Sequence, residues 1–375
     1  MVMKFCPNCG QALKPNAKFC PHCGHRLQPL QQENTRMSNA NTMMRTASPL
    51  TDQFAASSKT AASTMKKVFS QVFQKHTQAE AEEIFISGTK ATTPSLSMVS
   101  SDWGRPWLFA RVFMLFGLSF AGLLYVAVDY NNSLMIPGVI LTGAFAVPIS
   151  ALVFFFEMNA YKNISFYETL KVFFIGSVLS LLVTMLLYQF VSFSAQEQYY
   201  GQFTWGDTIS IGIAEELGKV LIVAYFVNKS NYSYILNGML IGATIGAGFA
   251  AFETAGYIYN AGNQLLDVAL LRAVTAVGGH VVWTAITGAA LVGVKKDAPF
   301  TGKMLFRGDF LKFFIAAVTL HAIWDKGTAE SESMWLTIIV VTLGGWAILY
   351  YLMGNGFAEI PKRQQALQTT LGGKK

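Results

Sequence analysis

The sequence predicts an all-α polytopic membrane protein, about eight transmembrane helices preceded by a small cytosolic zinc ribbon. Three observations lead there. The chain of 375 residues is 52% hydrophobic and 13% charged, about half the ~25% charge usual in soluble domains. Its long apolar runs concentrate after residue 105. All four cysteines fall within the first 23 residues, as the pairs CPNC and CPHC. A net charge of +7 would suit nucleic acid, but in so apolar a chain it fits basic cytoplasmic loops, and no nucleic-acid partner is expected.

Residues 1–26 read as the ribbon. Cys6 and Cys9, then Cys20 and Cys23, form two CxxC knuckles with ten residues between the pairs. Each knuckle puts two thiolates on a tight turn, and two knuckles supply the closed tetrahedral S4 set that suits structural zinc. A pair of disulfides or a redox CxxC is the weaker alternative. A closed site serves structure or partner binding, so a cytosolic protein partner is a further expectation. Reduced thiols place the N-terminus in the cytosol. The opening MVMKFCPNCG has no apolar core, so no cleavable signal peptide is expected.

Residues 27–104 read as a flexible linker with one amphipathic helix near 60–76. The first half is rich in Gln, Asn, Ser, Thr and Met. Met65, Val68, Phe69, Val72 and Phe73 then follow helical spacing beside Lys59, Lys66, Lys67 and Lys75. Such a helix lies on anionic lipid or packs on a neighbouring domain. Residues 77–100 look like an irregular polar approach to the membrane.

The membrane domain is expected over 105–355. Its apolar segments are 106–128, 134–156, 168–192, 205–227, 235–259, 270–293, 310–325 and 334–353, each near the ~20 residues needed to cross. Residues 356–375 remain as a cytosolic tail. Loops on one side hold Lys162, Lys229, Lys295, Lys296, Lys303, Arg307 and Lys312, and the tail adds Lys362, Arg363, Lys374 and Lys375. The opposite loops 129–133, 193–204 and 260–269 hold no Lys or Arg, and only Lys326 breaks the pattern. The positive-inside rule then puts both termini in the cytoplasm of a multi-pass cell-membrane protein, in agreement with the reduced cysteines.

The apolar segments contain charges that need a reason. Segment four carries Glu215, Glu216 and Lys219 about ten to fourteen residues in, roughly 15–20 Å along the axis. Glu215 and Lys219 are four apart and share a face. Segment five carries Glu253 near its outer end, and its Gly238, Gly242 and Gly246 recur every fourth residue, as ordinary close helix packing requires. Segment six carries Arg272 at its mouth and His280 two turns deeper; segment seven carries His321 and Asp325 on one face. Charges facing lipid would cost several kcal/mol each, so these groups should face one another around a common pocket reached from outside.

Such a cluster activates water. A buried Glu beside another Glu serves as general base or acid. Two histidines with carboxylates also suit a divalent metal whose bound water is the nucleophile. No cysteine lies in the membrane part and no GxSxG is present, so a serine or thiol nucleophile is not signalled. The reaction class is hydrolysis, and the bond at hand inside a bilayer is a peptide bond of a membrane-embedded substrate. Intramembrane Glu, Lys and His also build proton relays, which leaves a proton- or ion-coupled transporter open, although no internal repeat or paired broken helices stand out. A non-catalytic scaffold docking partners through the ribbon is a third reading.

The ordered set EELGK, FAAFE, a histidine after GG, and HAIWD resembles the PrsW family of intramembrane proteases, related to the CAAX-prenyl endopeptidases, over roughly 105–350. The resemblance implies site-1 cleavage of a membrane protein, typified by an anti-sigma factor, in the lipid bilayer. It implies that Glu215 and Glu216 are the paired glutamates, one of which activates water, and that Lys219 tunes them. Phe249 and Glu253 match the second motif. His280 and His321 match the later histidines, as metal ligands (zinc among the divalent metals) or as oxyanion stabilisers. The last motif ends in Asp325 where Asn is as much expected, and an ionised Asp cannot donate to an oxyanion. It would instead stay protonated, bind metal or orient His321.

Overall fold

Helices are the only regular elements among the residues that the computed structural model describes, 50–329 and 333–372. The ribbon cysteines and the first half of the expected linker lie outside them. Helix α1 spans Leu50–Val68 and ends in a 3-10 turn, Phe69–Gln71, slightly earlier than the expected 60–76. Its end turns to protein: Val68 is buried, and the Phe69 ring lies 6.1 Å from Phe109 and 6.2 Å from Phe154. The expected irregular stretch 77–100 instead holds helix α2, Gln78–Phe85. A capping box starts it, with the Glu80 N–H donating to Thr77 and the Thr77 N–H donating to Glu80 at 2.6 Å.

Helices α3 (Leu108–Asp129), α4 (Ile136–Met158), α5 (Phe166–Lys171), α6 (Ser177–Tyr188), α7 (Ala195–Tyr200), α8 (Trp205–Lys229), α9 (Ile235–Asn260), α10 (Leu265–Thr275), α11 (His280–Lys295), α12 (Gly308–Thr328) and α13 (Met334–Gly372) follow. A π turn, Val172–Gly176, joins α5 to α6 into one span. Helical spans overlap all eight expected segments, but six are long and apolar enough to cross a membrane among the described residues. The two left out are α8 and α12. Both have the length, at 25 and 21 residues, and both are diluted by the charges that made them interesting.

One expectation is corrected. Segment six is not continuous: α10 stops at Thr275, a 3-10 turn occupies Ala276–Gly278, and His280 opens a new helix. Gly278 and Gly279 make the break possible. Gly278 abuts the Thr342 side chain with no room for a Cβ, and the Trp346 Nε1 donates to the freed Val277 carbonyl at 3.1 Å. Most of the expected tail is helical, because α13 runs on through 39 residues. Phe357 and Ile360 are buried, and Gln364 donates to the carbonyls of Leu96 and Val99.

Helix α9 is the centre, with 89% of its apolar window buried against 6% for α3. Its glycines explain this. A Cβ at Gly238 would strike the Gly288 carbonyl, at Gly242 the Thr284 carbonyl, and at Gly246 the His280 carbonyl. The four-residue glycine spacing therefore lets α9 and α11 touch backbone to backbone, and that seam fixes His280 beside α9. Helix α3 is held at its start instead: Glu157 accepts the N–H groups of Trp107, Leu108 and Phe109 at 2.9–3.0 Å, the donors a helix start leaves unpaired.

Candidate active site

Helix α8 brings the first motif inward. Its own capping box, Thr204 with Asp207, fixes the N-terminus, and Asp207 also accepts the Ser194 N–H at 2.7 Å and its hydroxyl at 2.6 Å. Three turns in, Glu215, Glu216 and Lys219 are all buried. The Lys219 ammonium donates to Glu215 Oε2 at 3.2 Å, Glu216 Oε1 at 2.8 Å and His280 Nδ1 at 2.8 Å. It also sits 4.0 Å from the centre of the Phe249 ring, an attractive face for a cation.

The histidines close the cluster from two other helices. His280 Nε2 donates to Glu253 at 3.1 Å, which leaves Nδ1 as the acceptor facing Lys219. His321 Nδ1 donates to Glu216 Oε1 at 3.1 Å, so its Nε2 faces Glu215 Oε2 at 3.7 Å and Asp325 Oδ2 at 3.5 Å. The two imidazole rings are 5.0 Å apart, and Trp283 stacks on His321 at 4.7 Å. All seven titratable residues of the motif set meet in one connected group on four helices.

An open cavity borders the cluster, lined among others by Glu253, Tyr257, Arg272, His280, Trp324 and Asp325. Arg272 donates to Glu253 at 3.0 Å and to Thr254 at 3.2 Å, and its guanidinium lies 4.1 Å from the Tyr257 ring. Sequence reasoning missed Tyr188, Thr254 and Trp283. Tyr188 ends α6 and donates to Glu215 Oε1 at 2.7 Å. Nothing in the sequence separates it from the aromatic residues common at span ends.

The donor set can be tested against a metal. Glu215, His280 and His321 each offer an atom within 4.8 Å of the others, and a Glu with two His is a common catalytic zinc set. With Nδ1–H given to Glu216, His321 Nε2 presents a lone pair beside two carboxylate oxygens, and Asp325 Oδ2 is buried without a hydrogen bond. Lys219 is the donor among them, at Glu215 Oε2, and its ammonium also takes the lone pair of His280 Nδ1. The residue types fit a divalent cation, which would have to displace that ammonium from both ligand atoms.

A cluster of carboxylates and imidazoles sealed among apolar helices, with one open side, has the groups a membrane-embedded hydrolase needs to activate water. Comparison narrows the class. Residues 166–353 match the model of the PrsW family of intramembrane metalloproteases, so the chain belongs to that family and is a membrane endopeptidase. It is 27% identical over 187 residues to Protease PrsW of Halalkalibacterium halodurans, covering 50% of this chain and 81% of that one. It is 26% identical over 175 residues to Protease PrsW of Clostridioides difficile, covering 46% and 71%. Residues 5–27 match a zinc-ribbon domain and contain all four cysteines. No solved structure matches the chain.

Proposed function

We propose that the chain cleaves a peptide bond of a membrane-embedded regulator, an anti-sigma factor or similar protein, by site-1-type proteolysis, with Glu216 as general base. One observation carries the assignment. Glu216 Oε1 receives Lys219 and His321, whereas Oε2 is buried and has no partner. A carboxylate held by one oxygen with the other free is equipped to take a proton from water and return it to the leaving amine.

Glu215, His280 and His321 would hold the divalent metal, with the Lys219 ammonium giving up Glu215 Oε2 and His280 Nδ1 to it. When bound, it would polarise the scissile carbonyl and make its water acidic. The remaining work belongs to side chains. Lys219 offsets the two adjacent carboxylates. Glu253 keeps His280 in the tautomer whose Nδ1 faces inward, the carboxylate–histidine support common behind metal-ligating imidazoles. Asp325 stands where it can orient His321 or add a ligand oxygen.

The loop charges support cytosolic termini, so the open cavity would face the outer half of the bilayer. The four ribbon cysteines would bind structural zinc on the cytosolic side and recruit a protein partner there. Comparative membrane proteomics of cells with wild type against Glu215→Gln tests the reading: one fragment of a membrane protein should vanish in the variant. Identical fragment pools, with the variant folded and inserted, would rule it out.

A further inference from the structure

Outside the motif set lie an apolar groove between α8 and α12, a polar cavity around His76 and Lys162, and Tyr188. Only the last is aimed at the chemistry. The two active-site glutamates are held differently. The polar contacts of Glu216, from Lys219, His321 and His280, all fall on Oε1, whereas Glu215 is held from two directions. Its Oε2 meets Lys219 at 3.2 Å and His321 Nε2 at 3.7 Å, and its Oε1 receives the Tyr188 hydroxyl at 2.7 Å. The second hold comes from α6, a helix that supplies none of the family's motif residues.

The α6–α8 contact is built to bring that hydroxyl there. Thr184, buried and one turn before Tyr188 on the same face, meets α8 at Gly218. A Cβ on Gly218 would collide with the Thr184 hydroxyl, so only glycine permits this spacing. Glu215 lies three residues before Gly218, and the antiparallel run sets Tyr188 opposite it. Past Tyr188 the loop is tied to α8 through Ser194 on Asp207, and its Phe193 ring lies 6.4 Å from that of Tyr188. The tyrosine is thus fixed on both sides of its place in the chain.

We propose that Tyr188 is a positioning residue that, by occupying Glu215 Oε1, turns Oε2 alone toward His280 and His321 and keeps Glu215 from engaging the site with both oxygens. This rests on the reading of Glu215 as an active-site residue. A supporting hydrogen bond of this kind behind a metal-ligating carboxylate is worth about 10–100-fold in activity.

The test uses the full chain in lipid vesicles, with the single-span protein whose fragment vanishes in Glu215→Gln cells as substrate. Tyr188→Phe keeps the ring and removes the hydroxyl. It should lower kcat about 10–100-fold with KM within about twofold, and Tyr188→Ala should do little worse. Thermal unfolding in detergent supplies a readout apart from activity. Tyr188→Phe should lower the midpoint in the wild-type background and not in Glu215→Ala, because the partner is then gone. Full kcat in Tyr188→Phe with loss only in Tyr188→Ala would reduce Tyr188 to ring packing and overturn the proposal. So would a loss carried by KM alone, or an equal midpoint drop in both backgrounds. If no fragment vanishes in Glu215→Gln cells, the reading of Glu215 fails and takes this proposal with it; if one does and Tyr188→Phe is fully active on that substrate, only the proposal fails.

Discussion

The inner and outer halves of the site use the same kinds of side chain in opposite settings. In the inner half, the Lys219–Glu216 pair has no exposed side-chain surface at all. In the outer half, the Arg272–Glu253 pair is 28% and 19% exposed and borders the open cavity. A buried ion pair contributes little net stability, since desolvation offsets its attraction, and an exposed one contributes less still. Neither is there to hold the fold together, because the α9–α11 glycine seam already does that. The difference teaches a division of labour. The sealed half fixes charge deep among the helices, and the wet half supports it from behind, at the edge of the open cavity.

The sharpest way to break that contrast is at Glu216. Glu216→Gln keeps the shape and removes the free basic oxygen, so kcat should fall by about 10²–10⁴-fold with the fold intact. Single-turnover cleavage in vesicles measures it. Activity near wild type would move the base elsewhere, with Glu215 next in line.

Lys219→Ala attacks the inner half through stability. It would leave two adjacent buried carboxylates without their ammonium, and breaking a buried pair from one side costs about 3–5 kcal/mol. The unfolding midpoint in detergent should drop accordingly. Arg272→Ala, the matched change outside, should leave it almost unmoved.

This contrast was only partly legible in the sequence. The charges themselves were visible, because Glu215, Glu216, Lys219, His280 and His321 stand out against apolar neighbours, and burial in lipid forces such groups to meet. The glycines at 238, 242 and 246 were also readable as packing. Pairing was not. That His280 spends Nε2 on Glu253, and that Tyr188 reaches Glu215, depend on helix rotations and on the break at Gly278–Gly279, which hydropathy alone reads as one continuous segment. Hydropathy also undervalues α8 and α12, since the site charges lower the very average by which a span is recognised.

Glu253→Gln probes the boundary between the halves. The amide keeps one acceptor for His280 and loses the charge that pairs with Arg272, so activity should fall about 10–100-fold, as when the support behind a metal-ligating histidine is weakened. A drop as deep as that of Glu216→Gln would place Glu253 among the reacting groups.

The smallest effect belongs to Arg272→Ala. Its guanidinium is partly solvated, and Glu253 keeps His280 as a partner without it. Exposed ion pairs are worth about 0–1 kcal/mol, so kcat should change by no more than about fivefold. The cavity wall that Arg272 shares with Tyr257 would still be altered, so any larger loss should appear in KM. Kinetics over a range of substrate densities in the vesicle separate the two. A kcat loss of a hundredfold would mean that Arg272 meets developing charge on the substrate, and the outer half would then belong to the chemistry as fully as the inner.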